Sequence, residues 1–195
     1  MTVVLALDLA MKRSGFAVLG EDWDKPVVGV WESFGWQDHE ADNLHEFRQF
    51  LSTKGDTYEL TDVVIEKVFI DLRNGGKAFQ WLGTQGQLML MGVALEWAAS
   101  RGLRVHQADC AEWRKRFLGL NRKPKDFAND KNYWKDLALK VAAQRGTFCE
   151  FHDAAEAYGI ADFALAALSK PYRLRTEKHL ARQHQDIDFK MGAHS

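Results

Sequence analysis

The 195 residues hold 26 lysines and arginines against 27 aspartates and glutamates, a net charge of −1, with 46% hydrophobic residues and three prolines. That composition supplies the core of one sizeable domain and excludes disordered and low-complexity classes. The two cysteines, Cys110 and Cys149, have no metal-site spacing and make no disulfide framework, and the longest apolar run, 88–99, is interrupted by Glu96 and too short to span a bilayer.

The chain opens on an uninterrupted apolar run, Val3 to Leu7, of the kind expected for a strand buried on both faces, and it ends in Asp8. With no basic n-region and a charge at Asp8, MTVVLALDLA reads as a strand and not as a signal peptide. A turn carrying Lys12 and Arg13 leads to a returning strand over Phe16 to Leu19, and Val27 to Phe34 makes a third. Periodicity predicts a helix over Asp38 to Leu51. TDVVI, 61–65, is a second buried strand that also stops at an acid, Glu66.

The loop that follows bears Phe69, Lys67, Arg73 and Lys77 with the pair Gly75 and Gly76. Its aromatic could stack on unpaired bases, or could fold back on the core. A long helix over 77–100 is apolar on more than one face, which implies a second contact surface, either a symmetry-related subunit or the chain's own helices. Leu103 to His106 is a short strand, and Asp109 and Glu112 open a basic helix as capping residues. From Arg101 to Lys125 the cations, among them Arg114, Lys115, Lys123 and Lys125, face only those two acids, a patch suited to backbone phosphates. A helix over Lys131 to Arg145 precedes the last one, FHDAAEAYGIADFALAAL, 151–168. Residues 171–195 form a polar, basic tail, either mobile or a helix frayed at its end, and 1–170 the compact domain.

That last helix places Asp153 and Glu156 three residues apart, on one face near its start. Taken alone, the pair reads first as a capping pattern. Taken with Asp8 and Glu66 at strand ends, it suggests four carboxylates on one spot of an open α/β sheet, where ligands are handled. Four anions need cations, and oxygen donors select Mg²⁺ or Mn²⁺ over zinc. Two such ions about 3.5–4 Å apart form a clamp for displacement at a phosphodiester. His152 beside them serves as a turn residue or assists at the metal, the first being the commoner use.

The segments ALDLAMKRSGFAVL, DVVIEKVF, LGTQG and HDAAEAYGIADFALA resemble, in order and spacing, the RuvC family of Holliday junction resolvases. The resemblance covers roughly Val3 to Leu168 and implies an RNase H-like fold, a five-stranded mixed sheet flanked by helices. It also implies a homodimer, here through helix 77–100, that nicks a four-way DNA junction symmetrically with Mg²⁺, two ions per site, Mn²⁺ substituting. In that likeness Asp8, Glu66, Asp153 and Glu156 are the metal-binding catalytic acids, Phe69 the aromatic at the crossover, and Lys131 a basic residue facing DNA. The first motif departs from the usual Asp-Pro-Gly and Thr-Gly, reading Asp8-Leu9-Ala10 and Ser14-Gly15, and Glu156 stands where Asp is usual. Such departures fit a divergent, phage-type member working in the cytoplasm, that of a host if viral.

Three rivals share parts of this pattern. A nuclease of forks or flaps would keep the same acids. An actin-like or sugar-kinase ATPase would need glycine-rich phosphate loops, and Ala10 stands where the first would want Gly. A binding-only module would have no use for clustered carboxylates that repel one another.

Overall fold

The computed structural model describes residues 1–36, 38–68 and 78–177, the side chains of 78–82 excepted. One sheet runs in the order β3-β2-β1-β4-β5, with β1 Val3–Asp8, β2 Arg13–Gly20, β3 Val27–Glu32, β4 Asp62–Glu66 and β5 Arg104–Ala108. The first three strands are antiparallel neighbours, and β4 and β5 run parallel to β1. β1 therefore stands where hairpin connections give way to crossovers, and its C-terminal end shares an edge with those of β4 and β5. This is the mixed α/β sheet that the strand pattern implies.

Alternation along β1 explains why it reads as unbroken apolar sequence. Val3, Leu5 and Leu7 enter one core with Val63, Ile65, Phe47, Leu51, Leu90 and Trp97, while Val4 and Ala6 enter the other with Ala17, Val64, Trp113, Phe117, Ile160 and Leu165. The first core lies under α1 (Glu40–Thr57) and α2 (Ala78–Ser100), the second under α3 (Cys110–Leu118), α4 (Tyr133–Gln144) and α5 (His152–Leu168). Three layers result, with the sheet in the middle.

One helix differs from the sequence pattern for a physical reason. α1 continues to Thr57 through Gly55, where a Cβ would stand 2.9 Å from the Trp97 ring and the Arg101 guanidinium, so close packing on α2 holds a glycine that sequence alone would treat as a stop. On α2, Gly86 closes on Met11, whose Cγ would be 2.8 Å from an added Cβ, whereas Gly83 and Gly92 face open space. Asp109 caps α3 as expected, accepting from the Ala111 amide at 2.9 Å, and Gly119 ends it at φ 80.

The chain beyond α5 is helical over 170–177, with Tyr172 only 4% exposed. Its hydroxyl donates to Asp162 at 2.8 Å, and the same buried carboxylate takes Arg116 Nε at 2.9 Å and Arg145 Nη1 at 3.2 Å. Arg116 Nη2 reaches Thr176 at 2.9 Å. The start of the predicted tail is thus docked on the domain, and residues 178–195 lie outside the described ones. Among the described residues no helix is long and apolar enough to cross a membrane.

Candidate metal centre

Register brings the first two acids together. Leu7 pairs with Ile65 across parallel β1 and β4, so one step further along both strands Asp8 and Glu66 come side by side, on the α5 face by alternation. On the other flank Asp8 pairs with Gly15 of β2. A Cβ on Gly15 would stand 1.9 Å from the Asp153 carbonyl oxygen, so only glycine lets the first turn of α5 rest on the sheet beside Asp8. Small residues on the buried side of α5, Ala154, Ala155, Ala157 and Ala161, keep the rest of the helix equally close.

Asp153 and Glu156 do not cap this helix. The N-cap is Phe151, without a side-chain bond to the helix start. Their carboxylates meet other charges instead. Arg13 Nη1 lies 3.8 Å and His152 Nε2 3.0 Å from Asp153, and Arg114 Nη2 lies 3.7 Å from Glu156. His152, Asp153 and Glu156 each offer one donor atom within 4.8 Å of the others. The turn-residue reading of His152 is therefore corrected: its ring points to the acids because the first turn of α5 faces the sheet edge.

The electrostatics tie Asp8 and Glu66 to that group. Burial, then Glu156, Glu66 and Asp153, push the Asp8 carboxyl well above the usual carboxylate range against the opposing charge of Arg114. Glu156 is pushed up to about 7, chiefly by burial, with Arg114 and Lys135 opposing and Glu66 and Asp153 adding. Carboxyls this strongly disfavoured as anions, with oxygen donors throughout except His152, suit a hard divalent cation. Cys110, next to Glu66, is pushed up to about 12 by burial and that carboxylate, and stays a thiol instead of offering a soft ligand.

Neighbours fix the acids in place. The buried Trp113 indole donates to Glu66 Oε1 at 2.7 Å, and Gly159 of α5 makes its room, since a Cβ there would meet the ring at 2.8 Å. Arg114 lies 5.3 Å over the Trp113 ring and 5.0 Å over that of Trp134, its buried Nε without a hydrogen-bond partner among the described residues. Stacking thus aims its charge at Glu156. Arg13 is held by Glu32 at 2.7 Å and by the Phe151 ring at 4.1 Å. Ser14 Oγ closes the intervening turn on the Ala10 backbone, and Gln87 Nε2 donates to the Leu9 carbonyl at 2.7 Å, fixing the segment after Asp8 to α2.

Of the basic residues expected at DNA, Arg13 and Arg114 stand against the acids. Lys12, Lys115, Lys125 and Lys131 are exposed, and Lys123 is bonded to the Asp130 carbonyl of its own loop. Phe69, Arg73 and Lys77 lie outside the described residues. The sequence reading missed Trp113, Lys135 and Asp162, and held Gly15 only as part of the first motif. Of the three, Asp162 alone carried a signal, a lone charge inside an apolar helix.

The fold is RNase H-like. No family model matches the chain, and no curated protein matches it by sequence. Among solved structures, RuvC of Thermus thermophilus in complex with a Holliday junction substrate matches with a TM-score of 0.61 at 15% identity, over 83% of this chain and 90% of its own. The Thermus thermophilus RuvC structure gives 0.60 at 15% identity, over 82% and 91%. The yeast mitochondrial Holliday junction resolvase Ydc2 matches at 14% identity over 95% of this chain and 84% of its own, with a TM-score of 0.48. At the level of the fold, the RuvC resemblance read from the motifs is borne out.

Proposed function

We propose that this chain is a metal-dependent endonuclease for branched DNA that resolves four-way junctions by paired, symmetrical nicks. The observation that carries the reading is the convergence of four carboxylates from three elements, where burial first and the neighbouring acids after it push Asp8 and Glu156 above the usual carboxylate range. Asp8, Glu66, Asp153 and Glu156 would hold Mg²⁺, or Mn²⁺ in its place, with His152 adjacent. Two cations there supply charge neutralisation and Lewis acidity at the phosphodiester. Trp113 orients Glu66, Arg114 balances Glu156, and Arg13 and Lys12 stand at the entrance where a phosphate backbone would pass. Further along the strand, Lys115, Lys123, Lys125 and Lys131 are candidate phosphate contacts.

Symmetrical nicking needs two such centres, and α2 is the proposed dimer surface. Gly83 and Gly92 have nothing within 4 Å of an added Cβ, and Leu95 is 36% exposed. All four acids fall within residues 1–170, the proposed nuclease domain, and the basic tail 171–195 begins with its docked turn. Likeness in fold to a Thermus thermophilus protein seen on a Holliday junction supports the choice of substrate.

The test is cleavage of an end-labelled four-way junction beside a Y-fork and a linear duplex, with Mg²⁺ and with chelator, by wild type and Asp8→Asn. Metal-dependent nicks placed symmetrically across the junction are expected, with Asp8→Asn binding but not cutting. Equal or better cutting of the fork would move the function to general branch processing. Wild-type cleavage by Asp8→Asn would remove the site.

A further inference from the structure

The basic segment between α3 and α4 and the start of α4 also carry aromatic rings. Lys125–Phe127 forms a short 3₁₀ turn that leaves Phe127 42% exposed. The Phe127 ring lies 5.1 Å from that of Tyr133, which lies 5.1 Å from that of Trp134. Trp134 in turn carries the Arg114 guanidinium that faces Glu156. A row of rings therefore runs from the surface to the acid centre.

We propose that Phe127 is a stacking platform for an unpaired base of the DNA strand that enters the acid centre. The ring is braced by Tyr133 and keeps a solvent-facing surface, the arrangement that holds a stacked base at little entropic cost. Charge selects the occupant. Over 121–135, Arg122, Lys123, Lys125, Lys131 and Lys135 face only Asp126 and Asp130, and Lys135 is close enough to act on Glu156 and His152. A polyanion with free planar faces fits such a surface. Duplex bases offer no free face, whereas the unpaired nucleotides of a branch point do. The inference rests on the nuclease reading for which strand is held, but not for the stacking itself.

Binding without turnover separates the two. Anisotropy titrations in chelator would compare a labelled oligothymidylate, a blunt duplex of equal length, and a Y-fork with 2-aminopurine in its unpaired arm, for wild type, Phe127→Ala, Phe127→Tyr and, as an exposed-aromatic control outside this row of rings, Phe148→Ala. Phe127→Ala is expected to weaken oligothymidylate and fork roughly tenfold and duplex little, and to abolish 2-aminopurine quenching. Phe127→Tyr should restore both, and Phe148→Ala should change neither. Unchanged oligothymidylate affinity in Phe127→Ala at an unchanged melting temperature would overturn the proposal. So would an equal loss on duplex, which would make the ring a loop support, or self-association that Phe127→Ala abolishes while DNA binding stays intact. Wild type that quenches 2-aminopurine as expected but cuts no branched DNA when metal is supplied would count against the nuclease reading alone.

Discussion

Glu156→Gln should make the metal-free protein less sensitive to pH, because Glu156 is an acid the fold would rather keep protonated. Its rise from 4.5 to about 7 corresponds, at 1.36 kcal/mol per pH unit, to about 3 kcal/mol. The side chain is 12% exposed, so screening reduces that little, and relaxation of the site makes it a ceiling. A folded-state value above the unfolded one gives stability that is complete below pH 4.5 and lost as pH rises through about 7. Asp8 adds a loss of the same sign. His152 acts oppositely, its pKa lowered from 6.5 chiefly by burial, so its contribution rises with pH and is complete above 6.5. The interval from pH 6.5 to 8.5 therefore reports the acids. Most of the Glu156 loss falls below this interval, and about 1 kcal/mol of it remains, so in chelator wild type should lose at least about 2–4 °C in melting temperature across it, taking about 2–4 °C per kcal/mol for a chain of this size. Glu156→Gln should be flatter and at least as stable as wild type at pH 8, even after losing the 3.7 Å contact with Arg114. Ca²⁺ should restore wild type more at pH 8 than at pH 6. A wild-type melting temperature that is flat or rising across the interval, or an unchanged slope in Glu156→Gln, would refute the reasoning.

Gly15→Ala forces a methyl to 1.9 Å from the Asp153 carbonyl oxygen, and since backbone must then move, a loss of at least about 3 kcal/mol is expected with weakened Mn²⁺ binding. Denaturant unfolding and metal titration check both, and a neutral result would mean that α5 does not rest on β2. Trp113→Phe keeps most of the buried ring but removes the donor to Glu66, so metal affinity should drop roughly tenfold, read calorimetrically, for about 1–2 kcal/mol of stability. Asp162→Asn weakens a fully buried carboxylate's hold on Arg116, Arg145 and Tyr172 and should cost about 3–5 kcal/mol in urea unfolding. Metal affinity of the folded variant should stay unchanged.

The acids were legible because each breaks a local rule. Asp8 and Glu66 terminate apolar runs that have no need of a charge, and Asp153 with Glu156 opens an apolar helix. What places them together is not local. Gly15 reads as the end of the turn before the second strand, and its role appears only when α5, more than a hundred positions away, is seen lying on it. Trp113 reads as one apolar position on a basic helix, because a donor aimed at a strand-end carboxylate leaves no periodic mark. Similarly, α1 runs past Leu51 because Trp97 and Arg101 close on Gly55, a tertiary contact overriding a weak helix former.

α5 explains how the domain tolerates its own site. Its start brings two carboxylates to a buried place where burial and neighbouring acids raise the pKa of Glu156 and of Asp8, a cost concentrated at one helix end. The rest of the helix cannot yield to relieve it. Gly15 fixes the first turn against β2, Gly159 locks over Trp113, and Asp162, beyond the acids, is tied to two arginines and to Tyr172. Repulsion that cannot be relaxed by moving the helix can be relaxed only by protons or by cations. The two then compete for Asp8 and Glu156, so metal affinity should rise with pH below about 7 and level off above it. Calorimetric Mn²⁺ titrations between pH 5.5 and 8 should show that rise in wild type and a shallower one in Glu156→Gln. Affinity independent of pH in wild type would mean that these carboxyls are already ionised without metal, and that the strain assigned to α5 does not exist.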